Sequence, residues 1–153
     1  MNYLDTSAFV KYYREEEEGS NKVNELIENA KAGNEQLISS FFIVGEVVSV
    51  FDKWVRYKYI SNKECNELVR IFLGDIKNLT DNGVLILEPV STFTITHCLE
   101  LITEHHLSVN DAIHLYTSLS NKTHIKKFIS SDEILLKAAE AEGFEVFNPE
   151  EDN

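Results

Sequence analysis

Four acidic residues occupy places where a carboxylate could do chemistry. Asp5 and Asp132 each come after a short strand-like segment, the first after Tyr3-Leu4 and the second after Phe128-Ile129-Ser130. If these two strands are neighbours, both carboxylates point into one crevice. Either residue alone could instead cap a helix N-terminus, where aspartate is favoured. The equivalent placing of the two acids favours the shared crevice.

Glu46 lies inside an apolar stretch, residues 41–51, that is hydrophobic nearly all round. Such a helix should be largely buried, and a buried carboxylate is costly unless it is paired, neutralised or bound to a metal. A salt bridge or a solvent-facing position is the alternative. The adjacent Gly45 weakens the helix and would let another backbone approach closely.

Asp111 opens the segment Asp111-Ala112-Ile113-His114-Leu115, and its alternative role is that of a first-turn helix acid capped through Ser108. Together the four acids suggest binding of Mg²⁺ or Mn²⁺, because hard cations take oxygen ligands and remove the repulsion between carboxylates. Hydroxyl groups adjoin the acids and could orient a water on the cation or cap helices; they belong to Thr6, Ser7 and Ser131.

The elements that must position these acids alternate between strand-like and helix-like patterns, and glycines follow several of the helices. This order predicts a three-layer α/β/α sandwich with a mostly parallel sheet of four to five strands, in one domain over residues 1–153. Ligands in such folds lie beyond the carboxyl ends of the strands. The predicted strands are 2–5, 37–39, 84–88, 127–130 and 145–147; the predicted helices are 7–17, 21–32 with Ser20 as N-cap, 41–60, one from the capping box 61–64 to near Gly83, 92–106, 110–120 and 133–142.

The net charge of −12, from 26 acidic and 14 basic residues, opposes binding to nucleic acid. Part of the acidity lies in residues 15–18 and 150–152, which we expect to be solvated surface. Two segments, 53–63 and 121–131, carry lysine or arginine and no acid, so locally basic surface is possible. The first residues lack the features of a signal peptide, and no apolar run approaches the roughly 20 residues of a membrane span. A soluble, cytoplasmic protein that does not bind membranes is predicted; the two cysteines predict neither a disulfide scaffold nor a zinc site.

Five segments, which follow one another in the expected order along the chain, resemble the PIN-domain family, in particular VapC-type toxins. They are Tyr3-Leu4-Asp5-Thr6-Ser7-Ala8, Val44-Gly45-Glu46-Val47, Asp111-Ala112-Ile113-His114-Leu115, Ile129-Ser130-Ser131-Asp132, and the closing Gly143–Pro149. The resemblance implies that Asp5, Glu46, Asp111 and Asp132 bind Mg²⁺ or Mn²⁺ and cleave RNA. It also implies a homodimer and a cognate antitoxin protein as partners.

Two other functions stay open. A phosphatase of the haloacid dehalogenase type usually needs a second aspartate two residues after the first, where this chain has Ser7. A non-catalytic PIN-like binding module would suit the acidic charge. Among the remaining residues, His114 lies three residues after Asp111 and could approach the site, but it is interpreted as a partly buried structural histidine. The segment Trp54–Tyr59 is interpreted as a helix end, a partner surface or an RNA contact.

Overall fold

Strands and helices alternate along the chain in the order that the hydrophobic pattern predicts. The computed structural model describes residues 1–151. The strands are β1 (Asn2–Leu4), β2 (Leu37–Ser40), β3 (Leu85–Glu88), β4 (Lys127–Ile129) and β5 (Glu145–Phe147). The helices are α1 (Thr6–Phe9), α2 (Ser20–Lys31), α3 (Ile43–Arg56), α4 (Asn62–Asp81), α5 (Thr92–His105), α6 (Val109–Ser120) and α7 (Glu133–Ala141), with 3-10 turns at Val10–Tyr13 and Lys122–His124.

All five strands are parallel and pair in the order β3-β2-β1-β4-β5. The carboxyl ends of β1, β2 and β4 therefore meet at one edge, with Leu4 opposite Ile129. The α/β sandwich with a parallel sheet of five strands is confirmed. The residues that follow these strand ends, among them Asp5 and Asp132, lie at the edge where parallel sheets bind ligands.

The core divides between the two faces of the sheet because neighbouring strand residues point to opposite sides. On one face, Leu4, Leu37 and Ile129 pack with the apolar sides of α1 to α4. On the other face, Tyr3 and Phe128 pack with α5, α6 and α7. Both faces are covered, as expected for an all-parallel sheet.

The first helix is shorter than the pattern predicts. It ends as a 3-10 turn at Tyr13, and Arg14 already has extended backbone angles (φ −146°, ψ 86°). The prediction of a helix to residue 17 was wrong, because four successive glutamates follow and like charges three or four residues apart destabilise a helix.

The predicted N-cap of the second helix is also wrong. Gly19, with φ +79°, is the N-cap, whereas Ser20 is the first helical residue and its hydroxyl donates to the Glu15 carbonyl oxygen. A Cβ on Gly19 would lie 2.6 Å from the Pro149 carbonyl carbon and oxygen. Glycine is therefore required here both for its positive φ and for the close approach of the C-terminal segment.

The third helix is shorter than predicted at both ends, since it begins at Ile43 and ends at Arg56. Lys58 adopts a positive φ of 61°, which ends the helix before the predicted residue 60. Trp54 is buried against Phe51, and the Arg14 guanidinium lies 5.3 Å from the Trp54 ring centroid. The aromatic and basic segment is thus partly core, and its exposed rings are those of Tyr57 and Tyr59.

The acidic segments are only partly the solvated surface that we expected. Lys11 is buried, and its ammonium group lies 2.6 Å from Glu150 Oε1 and 3.8 Å from Glu17 Oε2. A buried lysine needs such partners, so these two acids stabilise the packing between the N- and C-terminal segments. Asp152, also in the predicted acidic tail, lies outside the described residues. Among residues 1–151, none of the helices has the length and apolar composition needed to cross a bilayer.

Ser61→Ala is expected to lower the free energy of unfolding by about 1 kcal/mol, because it breaks the predicted capping box. The Ser61 hydroxyl accepts the Glu64 backbone N–H, and the Glu64 carboxylate accepts the Ser61 N–H. Urea unfolding measures the change. Ser61→Thr keeps the hydroxyl and serves as the control; equal stability of the alanine and threonine variants would contradict the role of the cap.

Candidate metal centre

Asp5 lies directly after β1, with only 3% of its surface exposed. Its Oδ1 atom accepts hydrogen bonds from the Ser7 hydroxyl at 2.8 Å and from the Ala8 backbone N–H at 3.0 Å. Asp5 is therefore the N-cap of α1, as its alternative reading proposed. Both hydrogen bonds use Oδ1 and hold the carboxylate rigidly at the edge of the sheet.

The Asp5 carboxylate carries its charge in an unfavourable environment. Burial raises the pKa of Asp5 from 3.8 to about 6, against the opposing effects of the nearby His114 ring and of the hydrogen bonds from Ala8 and Ser7. In the described part of the chain, no lysine or arginine pairs with Asp5. A buried acid without a lysine or arginine partner is a feature of sites that bind cations.

Glu46 reaches the same edge from the first turn of α3. Its Oε2 atom accepts from the Thr6 hydroxyl at 2.6 Å and lies 2.6 Å from His114 Nε2. Burial raises the pKa of Glu46, but the hydrogen bonds from His114, Thr6 and Asn110 and the charge of His114 outweigh it, so the pKa lies below its ordinary value. Glu46 is therefore held as a carboxylate next to Thr6, the residue that follows Asp5.

A buried chain of hydrogen bonds lies behind Glu46. The Ser40 backbone N–H donates to the Tyr3 hydroxyl at 3.2 Å, and this hydroxyl lies 2.8 Å from His114 Nδ1. The Glu46 carboxylate can only accept a hydrogen bond, so His114 Nε2 carries a proton and donates it to Glu46.

His114 is therefore more closely connected to the candidate site than the sequence suggested. It is 1% exposed, so the ring is buried more completely than predicted, and it binds Glu46 as well as filling space. Its position one helical turn after Asp111 is the sequence signal for an approach to the site. Its partners Tyr3 and Glu46, however, lie 111 and 68 residues away along the chain.

Asp111 lies in the first turn of α6, one turn before His114. Its Oδ2 atom accepts from the Ser108 hydroxyl at 2.6 Å, and Ser108 is the N-cap of the helix. His114, on the same helix, contacts Glu46 of α3 at 2.6 Å. The start of α6 therefore lies against the start of α3, which brings Asp111 to the side of the edge where Glu46 lies.

Asp132 is the N-cap of α7, and its Oδ1 atom accepts the backbone N–H groups of Ile134 and Leu135. Ser7 connects this segment to Asp5, since its hydroxyl accepts the Ser131 N–H at 2.8 Å and donates to Asp5. The Ser131 hydroxyl oxygen is buried and has no hydrogen-bond partner among residues 1–151. None of these three hydroxyl residues, Thr6, Ser7 and Ser131, is an N-cap. The Thr6 hydroxyl donates to Glu46, and the Ser7 hydroxyl donates to Asp5.

A comparison with protein families gives a match to the PIN-domain model over residues 3–141. The chain belongs to the PIN-domain family. A comparison with curated proteins gives no match. PIN domains are generally metal-dependent nucleases that act on RNA or other nucleic acid, and the acids described above lie in the matched segment.

The donor set of this PIN domain fits a hard divalent cation in charge and in ligand type. Its acids and hydroxyls supply only oxygen, which Mg²⁺ and Mn²⁺ prefer. Two observations fit a cation at this edge: burial raises the pKa of Asp5, and the buried Ser131 hydroxyl oxygen has no hydrogen-bond partner among residues 1–151. The spacing is wider than in a closed ligand set, because within residues 1–151 no three of the four acids offer oxygens that all lie within 4.8 Å of one another. The assignment of the four acids to one cation stays a prediction.

One group in the described residues does meet that spacing, and it lies elsewhere. Glu104, His105 and Glu142 offer ligand atoms within 4.8 Å, with His105 Nε2 at 2.8 Å from Glu142 Oε1. Glu142 follows the C-terminal end of α7, whereas Asp132 caps its start, so this cluster is separate from the carboxyl edge of the sheet. His105 Nε2 is already hydrogen-bonded to Glu142.

The basic segment predicted at residues 121–131 lies mainly at the opposite edge of the sheet. The Lys126 N–H donates to the Met1 carbonyl, where β1 and β4 begin. Lys126 also lines a cleft of about 880 Å³ together with Met1, Gln36 and Val84, which precede β1, β2 and β3. These lysines are therefore not placed to bind a phosphate at Asp5.

Proposed function

We propose that this PIN domain is a metal-dependent endoribonuclease whose Mg²⁺ or Mn²⁺ is bound by Asp5, Glu46, Asp111 and Asp132. The observation that carries the proposal is the Asp5 carboxylate, which is buried, has no lysine or arginine partner among residues 1–151, and is followed by Thr6, whose hydroxyl donates to Glu46. Membership of a family of metal-dependent nucleases supports the reaction class.

The protein's own groups would position the cation and the substrate. When bound, a divalent cation lowers the pKa of a coordinated water and stabilises charge that develops on a phosphate. Ser7 would hold Asp5, and Thr6 and His114 would hold Glu46, with one carboxylate oxygen of each engaged by these donors. The Ser131 hydroxyl, which lacks a partner in the described chain, would be free to orient a water or a phosphate oxygen.

We further propose that the chain is the toxin of a type II toxin–antitoxin pair, that residues 1–153 form one domain, and that it works in the cytoplasm as a homodimer bound by an antitoxin. The resemblance of the acidic motifs to VapC-type toxins supports this. The exposed Tyr57 and Tyr59, 61% and 64% accessible, offer aromatic surface of the kind enriched at protein interfaces.

Two experiments test the two levels of this proposal. Purified protein should cut RNA in Mn²⁺ or Mg²⁺ and stop when EDTA is added. Expression in a bacterial host should arrest growth, and co-expression of the adjacent reading frame should relieve the arrest. Cleavage without growth arrest would keep the nuclease and remove the toxin role; cleavage of small phosphate esters but not RNA would favour a phosphatase.

A non-catalytic binding module is the second candidate, favoured by the wide spacing of the acids and by the net charge of −12. Metal binding separates the two. For the nuclease we expect Mn²⁺ at a hundred times its dissociation constant to stabilise the fold by about 2.7 kcal/mol, seen as a rise in melting temperature. Ca²⁺-free buffer with EDTA is the reference. If Mn²⁺ leaves both the melting temperature and RNA unchanged, the binding module is the better account.

A further inference from the structure

Tyr3 lies on the central strand of the sheet, and none of its surface is exposed. Its ring stacks on Phe128 of the neighbouring strand β4, with a centroid distance of 5.0 Å and an angle of 11° between the rings. A phenylalanine could form the same stack, so packing alone does not account for the hydroxyl group. A buried hydroxyl costs free energy unless it forms hydrogen bonds. The contacts of this hydroxyl therefore show what a tyrosine adds at this position.

The Tyr3 hydroxyl begins a hydrogen-bond chain that ends at Glu46. It lies 2.8 Å from His114 Nδ1, and His114 Nε2 donates to Glu46 Oε2 at 2.6 Å. Burial raises the pKa of Tyr3 well above its ordinary value, so the hydroxyl keeps its proton near neutral pH. The Ser40 backbone N–H, at the end of β2, donates to the same hydroxyl at 3.2 Å. The hydroxyl is thereby fixed between a strand of the sheet and the His114 ring.

The hydrogen-bond chain joins three elements that carry or adjoin candidate metal ligands. β1 carries Tyr3 and leads directly into Asp5. α6 carries Asp111 and, one turn later, His114, whereas α3 carries Glu46. Hydrogen bonds depend on distance and angle, so they fix the relative positions of these elements more closely than apolar contacts do.

Glu46 depends on side-chain donors for its position. A Cβ on the adjacent Gly45 would meet nothing within 4 Å, so the close backbone approach that this glycine would permit does not occur. The Thr6 hydroxyl and the His114 ring both donate to Glu46 Oε2. Within residues 1–151, no three of the four candidate acids offer oxygens within 4.8 Å of one another. A cation shared by widely spaced acids requires that each acid is held in place.

We propose that Tyr3 is a positioning residue of the metal site: its hydroxyl fixes the His114 ring, and through that ring it holds the Glu46 carboxylate in place for the cation. This inference rests on the proposed nuclease function. Tyr3 is fully buried and acts through the ring, not on the cation. Side chains that orient a metal ligand typically contribute about 10- to 100-fold to metal affinity. The affinity for Mn²⁺ therefore measures this role.

Tyr3→Phe removes the hydroxyl and keeps the ring that stacks on Phe128. We expect it to raise the dissociation constant for Mn²⁺, measured by titration calorimetry, about tenfold. Tyr13→Phe is the matched control, because the Tyr13 hydroxyl donates to Asp75 at 3.0 Å, and Asp75 lies in α4, a helix that carries none of the candidate acids. Each variant loses one hydrogen-bonded hydroxyl, so both should lose stability in urea, but only Tyr3→Phe should lose affinity for Mn²⁺.

A double-mutant cycle shows whether Tyr3 acts through His114. In a His114→Ala background, Tyr3→Phe should weaken Mn²⁺ binding no further, because the ring that transmits its effect is absent. A full tenfold loss in that background would overturn the proposal. So would a Tyr3→Phe protein that binds Mn²⁺ as tightly as the wild type does.

Proton exchange at His114 provides a measurement that needs neither metal nor RNA. In EDTA, NMR follows the rate at which the Nε2 proton, which is donated to Glu46, exchanges with water. We expect Tyr3→Phe to speed this exchange about tenfold, because the ring leaves Glu46 more often, and Tyr13→Phe to leave the rate unchanged. Faster exchange in a protein that binds no Mn²⁺ would keep the role of Tyr3 in holding Glu46 and reject the metal site. Metal-dependent RNA cleavage with unchanged exchange would reject the role of Tyr3 and keep the nuclease.

Discussion

Asp5→Asn is expected to abolish metal-dependent RNA cleavage while making the metal-free protein more stable at neutral pH. The loss of a carboxylate ligand should lower the rate roughly a thousandfold or more, because the bound cation contributes several kcal/mol to the transition state. The amide can keep the hydrogen bonds from Ser7 and Ala8, since both use Oδ1. The fold should therefore be retained.

The stability effect follows from the pKa of Asp5, which burial raises from 3.8 to about 6. Between these values the folded protein binds more protons than the unfolded chain, so the wild type loses stability as the pH rises through this range. The loss is complete above pH 6 and amounts to about 3 kcal/mol. The neutral asparagine does not suffer it.

Urea unfolding in EDTA at pH 4 and pH 7.5 measures this effect. At pH 7.5 the wild type should be less stable than Asp5→Asn. Added Mn²⁺ should stabilise the wild type but not the variant. Asp52→Asn is the control, because Asp52 is exposed in α3 and forms only a surface ion pair with Arg56. An Asp5→Asn protein that still cuts RNA, or that is the less stable of the two at pH 7.5, would remove Asp5 from the centre.

His114→Ala is expected to weaken Mn²⁺ binding and RNA cleavage by about 10- to 100-fold, the usual effect of removing a residue that orients a metal ligand. The His114 ring holds the oxygen of Glu46 that Thr6 also binds, and Tyr3 fixes the orientation of that ring. Without the ring, the Glu46 side chain has fewer donors to hold it and greater freedom.

Titration calorimetry with Mn²⁺ gives the affinity separately from activity. His114→Ala also leaves a cavity, so a second variant is needed: His114→Gln can place an amide N–H near the position of Nε2 and should recover part of the affinity. His97→Ala, at an exposed histidine on α5, is the matched control. If the alanine and glutamine variants bind Mn²⁺ as the wild type does, His114 serves only the packing.

The order of strands and helices could be predicted because it depends on local patterns. Alternation and apolar runs mark the strands, glycines with positive φ at 33, 83 and 143 follow α2, α4 and α7, and the capping box at Ser61 is a local motif. The errors also have local causes: the glutamates after Arg14 shorten the first helix, and Lys58 ends the third one early.

The sequence by itself determined the parallel α/β fold and placed Asp5 and Asp132 after the strands where ligands bind. Hydrophobic periodicity and the order of strands and helices are local properties that can be observed in the sequence. Only the tertiary structure decided which side chains meet. The bond between His114 and Glu46 joins α6 to α3, and the lysines of residues 122–127 came to lie mainly at the edge away from the acids. Such contacts depend on how helices pack across the sheet, and spacing along the chain does not encode the distance between residues 68 or 111 positions apart.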